Sequence, residues 1–478
     1  MFTPWVRFFF WVYLFFLVCV AGTVTNPADP DLWHRLAVGE FLWKTGHFPP
    51  GDAFSYLFDY KQVADHEWGC ALLFYGLWQW GEGTAIVATK LVTLGVTLAL
   101  VIWAGMHDRR PTAWTAAFYA LVLLALLPSF QSTVRCMVFT HILFALWVCW
   151  FQRERRGRPV PTFLYVLTMI VWANLHGGFV VGLGWLFIVT VLEGLYHGAW
   201  KKWAVRFALC ALATLLNPFG WQLWIATGRA LVTTRRGFNE WAPVPWIADP
   251  HLYLGYELLF LGVLVALAIQ IYRKGWKRID QRGVILIGFF MVLAMMAARH
   301  TSLFAVVAGA LVPGTFPLKW PYDLRRRPLR NLVAVGVNFS LVVVPLFTAL
   351  IVLPVSAGLT LELPHIACPV DAVAYLQRQN IRGNLLVPFN YGSYALWELR
   401  GKMRVSMDGR YDLVYRTETY QRVDDFFSAK GDWPRLLATP APDAILVPRS
   451  ADVYFKLRNE PGWTEAWRDP WDAVFLPR

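Results

Sequence analysis

Long apolar runs separated by short polar stretches fill the chain up to about residue 353, where the pattern changes. A membrane-spanning helix needs roughly 20 mostly apolar residues. By that measure spans are expected near 8–21, 84–105, 112–128, 136–152, 161–175, 178–197, 204–218, 253–272, 283–298, 301–318 and 331–353, eleven in all. No small-residue cleavage site follows the first run, so it reads as an uncleaved anchor. Beyond residue 353, helical stretches are expected at 369–379, 393–398, 418–429 and 450–458, with strands at 384–388, 403–407, 444–448 and 473–476. Such alternation predicts a small sheet covered by helices. The chain therefore reads as a polytopic α-helical membrane protein, with a transmembrane domain over 1–353 and an α/β domain over 354–478.

Composition agrees and narrows the class. Hydrophobic residues make up 57% and charged residues 16%, against roughly 25% charged in soluble proteins. Disorder, a disulfide scaffold and a soluble cytosolic enzyme are excluded. The net charge of +13 lies wholly in the first 353 residues, because residues 354–478 carry 15 basic and 15 acidic side chains. Six cysteines show no metal-site or disulfide spacing.

The placement of the charges orients the spans. Arg7, Arg109–Arg110, Arg153 to Arg158, Lys201 to Arg206, Arg273 to Arg282 and Lys319 to Arg330 hold 20 Lys and Arg on one side. The opposite loops, 23–68, 129–135, 218–252 and 299–300, hold eight. The richer side is expected to be cytoplasmic, with the amino terminus inside and the α/β domain outside. This bias accounts for the basic excess, and no nucleic-acid partner is implied.

Polar groups at membrane depth are costly and mark candidate sites. Here they gather on the outer side: Asp29, Asp31, His66, Glu67, Arg135, Asn174, His176, Asn217, Glu240, Arg299 and His300. In the first external loop, 23–68, an amphipathic helix is expected from Leu32 to Thr45, ended by Gly46 and lying along the membrane surface. Asp29 and Asp31 fall where it begins, so either can cap it as Asp commonly does. His176, between spans, reads equally as a turn cap and as a substrate contact. Asp408-Gly-Arg410 in the tail reads as a structural or salt-bridged turn, with acceptor binding as the other reading.

The Asp-x-Asp opening of that loop, the many short spans and the C-terminal α/β domain resemble the GT-C superfamily of integral-membrane glycosyltransferases. The stretches Asp31-Leu-Trp-His34, His66-Glu-Trp68, Asn174-Leu-His-Gly-Gly178, Asn217-Pro-Phe-Gly-Trp221, Phe238-Asn-Glu-Trp241 and Asp408-Gly-Arg410 look similar to a bacterial branch with that layout. The resemblance implies transfer of a hexose or pentose from a polyprenyl-phosphate donor at the outer face of the bacterial inner membrane. It also implies an acidic residue of the first external loop in the active site. Such chemistry needs a base for the acceptor proton and cations where the leaving phosphate develops charge. Asp31, supported by Asp29, and Glu67 with His66 are the catalytic candidates. Arg135, Arg299 and His300 are candidates for the donor phosphate, since Arg matches phosphate with its planar fork. His34, Arg35, His176 and Glu240 are read as substrate contacts. No cofactor is expected, although Asp29, Asp31, His66 and Glu67 could together bind a divalent cation.

Two rivals stand beside the enzyme. A transporter or flippase for a lipid-linked glycan would place broken polar helices in related halves, and no internal repeat is visible. A non-catalytic membrane assembly protein would be indifferent to its outer acids. The partners implied are a lipid-linked sugar and membrane lipids; sugar, acceptor and oligomeric state are left open.

Overall fold

The computed structural model describes residues 3–23, 25–49, 51–60, 63–106, 113–130, 134–198, 200–232, 239–247, 250–315, 358–438 and 440–478. The span expected at 331–353 and the basic stretches at 109–110 and 319–330 lie outside them. Two compact units emerge, one of residues 1–26, 87–216 and 235–360, the other of 27–86, 217–234 and 361–478.

The first unit is helical because an apolar backbone away from water can satisfy its polar groups only within the helix. It contains α1 (Thr3–Thr23), the later part of α3 (Trp68–Met106), α4 (Ala113–Leu126), α5 (Met137–Arg155), α6 (Thr162–Leu175), α7 (Phe179–His197), α8 (Trp200–Ala213), α10 (Pro250–Lys274), α11 (Gln281–Met296) and α12 (Thr301–Thr315). Every expected span within the described residues coincides with one of these helices. Among the described residues, α3, α7 and α10 are long and apolar enough to cross a membrane, against the eleven spans expected. Shorter apolar stretches of 10–17 residues lie in α1, α4, α6 and α11, where turns such as Leu127–Ser129 and Ala298–His300 end the helix early. Helix α3 begins sixteen residues before the expected span and breaks at Gly81 and Glu82, the latter at φ 45°.

Ion pairs join the loops at each end of α5. At its carboxyl end Arg155 meets Asp280 at 2.7 Å, Arg282 meets Glu193 at 2.5 Å, and Arg206 meets Glu154 at 2.6 Å. At its amino end Arg135 meets Glu240 at 2.5 Å. Nineteen residues separate the two clusters, which at 1.5 Å per residue is about 28 Å, close to the hydrocarbon thickness of a bilayer. Residues 154–155, 193, 206 and 280–282 thus gather at one end of this helix, and residues 135, 240 and 299 at the other.

The second unit combines α2 (Pro30–Thr45), the opening turns of α3, α9 (Gln222–Val232) and the tail. The tail runs α13 (Val370–Arg378), β1 (Gly383–Leu386), α14 (Phe389–Glu398), β2 (Met403–Val405), α15 (Thr417–Phe427), β3 (Ala444–Pro448), α16 (Asp452–Leu457), β4 (Trp463–Arg468) and β5 (Asp472–Pro477). The strands order as β2-β1-β3-β5-β4, parallel from β2 to β3 and antiparallel beyond. Central β3 is apolar on both faces, as a strand covered by helices should be. Leu386, Val447, Phe426, Leu457 and Phe475 form its core. The loop after α2 extends the β2 edge: Val405 N donates to Phe54 O at 2.9 Å, and Tyr56 N donates to Val405 O at 3.1 Å. That pairing closes an edge that would otherwise be open.

Candidate active site

Helix α2 starts where the sequence dictates. Asp29 is the N-cap and its carboxylate accepts from Asp31 N at 2.9 Å, while Pro30 fills the first helical position. Gly46, at φ 71°, closes the other end with its N–H on Leu42 O. The helix is not the surface amphipath expected. Residues Leu32 to Gly39 are buried without a break, because neighbours of the same unit cover it on several sides. Trp33, for instance, packs edge-on against Tyr394 at 5.2 Å and Trp78 at 5.7 Å.

The loop acids divide sharply. Asp29, fully buried, serves as the cap. Arg35 draws in two more: its Nη1 donates to both Asp65 oxygens at 2.8 and 2.7 Å, and its Nη2 reaches Glu67 at 2.5 Å. His66 Nε2 lies 3.7 Å from the other Glu67 oxygen. Asp52 is held by Arg410. Asp31 differs, with 46% of its side chain exposed against 15% for Glu67, 7% for Asp65 and none for Asp52. Arg35 and His34, expected as substrate contacts, are both buried. Asp29, Asp31, His66 and Glu67 do not gather as metal ligands, and no group of three or more metal-ligating side chains occurs among the described residues.

Asp31 is backed by the tail. Its Oδ1 lies 4.0 Å from His34 Nδ1, and that nitrogen shares a hydrogen bond with Ser393 Oγ at 3.2 Å. Ser393 Oγ also accepts from Gly409 N at 2.9 Å. A Cβ on Gly409 would sit 2.6 Å from Asp31 Oδ1 and 2.8 Å from His34 Nδ1, so only glycine fits against the pair. Burial, with Arg35 adding to it, holds the His34 imidazole well below its usual pKa, and the ring is neutral.

The turn carrying Gly409 is braced by buried charge. Arg410 grips Asp408 through Nε at 2.8 Å and Nη2 at 2.6 Å, and Asp52 through Nη1 at 2.7 Å and Nη2 at 3.1 Å. The Tyr415 hydroxyl donates to Asp408 Oδ2 at 2.8 Å. Burial alone would raise the Asp408 pKa, but the charge and hydrogen bonds of Arg410 outweigh it and hold the carboxyl below its usual range. The salt-bridged turn is what the residues at 408–410 form.

In the helical unit, three residues singled out from separate loops converge. Glu240 Oε2 accepts from Arg135 at 2.5 Å, and Arg299 Nη1 lies 3.9 Å from Glu240 Oε1. The Arg299 guanidinium stacks 4.0 Å from the Trp241 ring centre. With Ser129, Met137 and Tyr253 they line a cavity of about 50 Å³. His300 turns elsewhere, its Nδ1 on Leu293 O at 3.1 Å at the end of α11. His176 caps its turn: Gly178 N donates to its Nδ1 at 2.9 Å, and Thr140 Oγ1 lies 2.8 Å from the same nitrogen.

Apolar helices, three of them among the described residues long enough to cross a membrane, with a small C-terminal α/β sheet make up a GT-C-like fold. Solved structures share this fold. The structure of ArnT from Cupriavidus metallidurans in the apo state matches with a TM-score of 0.58 at 13% identity, over 99% of this chain and 98% of that one. The same protein bound to undecaprenyl phosphate matches at 0.53. The arabinofuranosyltransferase AftD from Mycobacteria matches at 0.56 and 13% identity, where the chain spans 40% of the larger protein. No family model matches the sequence, and no curated protein does.

Proposed function

We propose that the chain is a membrane glycosyltransferase that moves a hexose or pentose from a polyprenyl-phosphate donor to an acceptor hydroxyl outside the cytoplasm. The observation that carries the reading is Asp31, whose side chain is 46% exposed at the start of α2 while Glu67, Asp65 and Asp52 are 15% exposed or less. The GT-C-like fold along 99% of the chain supports it, and the undecaprenyl phosphate bound by ArnT supports the donor class. In the reaction the acceptor oxygen attacks the anomeric carbon as its proton passes to Asp31. The bond from that carbon to the phosphate oxygen breaks, and the phosphate leaves with the electron pair. Arg135 and Arg299, paired with Glu240 within the helical unit, are assigned to binding the donor phosphate, an anion that can replace the Glu240 carboxylate. Written this way the step needs no cofactor. The reading goes with an inner-membrane location, an internal amino terminus and an external tail.

The test is transfer from a synthetic polyprenyl-phosphate sugar by purified protein. Asp31→Asn keeps the shape of the side chain but cannot take the proton, and is expected to lower the rate about 100- to 10,000-fold. Asp29→Asn remains a good cap and should be nearly normal. Full activity in Asp31→Asn would overturn the assignment of the base.

A further inference from the structure

A second feature of the α2–tail unit lies away from Asp31. A cavity of about 790 Å³ opens between the carboxyl half of α2, the loop after it and the tail, within the range of about 300–1,000 Å³ typical of small-molecule sites. Glu40 lines it, with one oxygen 2.7 Å from Arg400 Nε and the other 2.7 Å from Lys44 Nζ. Glu398 lines it too, with Gln377 Nε2 donating to the Glu398 carbonyl at 2.9 Å. The Arg400 guanidinium lies flat over Trp397, 3.8 Å from the ring centre. Phe41 and Phe54 complete the wall, edge-to-face at 6.1 Å.

The chemistry of this lining selects a ligand class. Two acids, Glu40 and Glu398, balance two bases, Lys44 and Arg400, so the cavity has no net charge to draw in a polyanion or a polycation. An apolar peptide or acyl chain would cover the ion pairs without replacing their water, which is unfavourable. Carboxylate, guanidinium and amide groups are planar forks that meet neighbouring hydroxyls two at a time. Aromatic rings beside them offer faces to the C–H sides of a sugar. Glu40 follows Asp31 by nine residues on one helix, about 14 Å along its axis and, at 3.6 residues per turn, on its opposite face, so the cavity is separate from the acid. We infer that this cavity is a carbohydrate subsite for a neutral oligosaccharide, one that holds a remote part of a glycan acceptor. The acceptor role rests on the glycosyltransferase reading, whereas carbohydrate binding does not.

The experiment uses full-length purified protein, fluorescently labelled, on a printed array of neutral and acidic bacterial oligosaccharides. Binding to neutral glycans of three or more sugars is expected. Arg400→Ala and Gln377→Ala should each weaken it about tenfold, the loss of one good hydrogen bond to a charged or amide group, with unchanged melting temperatures. No binding to any neutral glycan, binding to acidic glycans alone, or binding indifferent to both cavity variants would each overturn the inference. Should the cavity variants lose binding while Asp31→Asn still transfers sugar at the full rate, the subsite stands and the catalytic reading falls.

Discussion

Replacing Gly409 with alanine tests whether the tail takes part in the reaction centre. The added methyl would meet Asp31 Oδ1 at 2.6 Å and His34 Nδ1 at 2.8 Å, where ordinary contact begins at 3.4 Å. Relief therefore requires shifts of about 0.8 Å and 0.6 Å respectively. His34 is buried and tied to Ser393, so it yields poorly. Asp31 is nearly half exposed and can rotate, so it absorbs most of the strain. Gly409 lies outside the left-handed backbone region, and alanine carries no conformational penalty there. Overpacking of this size costs about 1–3 kcal/mol, which a folded chain tolerates. A displacement approaching 1 Å at a reacting group costs on the order of 100-fold in rate. Gly409→Ala should thus stay folded and membrane-inserted while kcat for transfer from a polyprenyl-phosphate sugar falls about 100-fold. Normal kcat in a protein with an unchanged melting curve would refute the view that Gly409 positions Asp31.

The remaining expectations concern charge and its placement. Arg135→Ala and Arg299→Ala should abolish nearly all transfer, with the Lys variants keeping part of it because they retain charge but lose the fork; normal transfer by both Ala variants would leave them as interfacial anchors. Burial lifts the Asp472 pKa from 3.8 to about 6, with nearby Asp469 adding and the Tyr391 hydrogen bond opposing. A raised acid stabilises the fold below its unfolded pKa and loses that contribution as pH climbs through the folded one, here between 3.8 and about 6. Asp472→Asn still accepts from Tyr391, so its melting temperature should gain on the parent across that window; parallel curves would refute the shift. A reporter fused after Arg478 should be active only outside the cytoplasm, and one after Arg156 only inside, the reverse pattern overturning the assignment of faces.

The helices of the membrane unit were legible because bilayer physics writes them as long apolar runs. Their ends were less so, since a run of apolar residues does not reveal where a turn such as Leu127–Ser129 cuts it. The tail was read nearly element by element, but β4 was missed. Its alternation, Trp463-Thr-Glu-Ala-Trp-Arg468, is that of a half-exposed edge strand with two charges, which resembles a surface loop. Of the site, the cap at Asp29 and the turn at 408–410 followed from local chemistry. The partners of Arg35, Asp65 and Glu67, lie within the same loop, but a separation of 30 residues or more gives no spacing that pairs them. The meeting of Arg410 with Asp52 spans 358 positions, and that of His34 with Ser393 spans 359. No local signal carries contacts of that range. Gly409 was noticed only as part of a turn, because the reason for a glycine there is a side chain from the other end of the chain.

The brace around that glycine raises a question of energy. Burying Arg410 between Asp52 and Asp408 removes three charges from water, and a well-packed apolar cluster of similar volume would be about as stable or more so. Stability alone does not account for it. An apolar cluster, however, fixes positions only loosely, whereas the four hydrogen bonds of this fork define both distance and angle. Each end of the fork matters. Asp52 also accepts from Phe54 N and Ser55 N, each at 2.7 Å, which shapes the loop segment that pairs with Val405 at the sheet edge. Asp408 and Arg410 flank Gly409, which lies against Asp31 and His34. The brace thus ties the register of the loop on the sheet to the height of Gly409 beneath the acid. A half-satisfied version would leave a buried charge exposed to its full desolvation penalty, about 3–5 kcal/mol. The two ends of the chain are therefore held in this one register, and the placement of Asp31 is set by the fold rather than by its own flexible side chain.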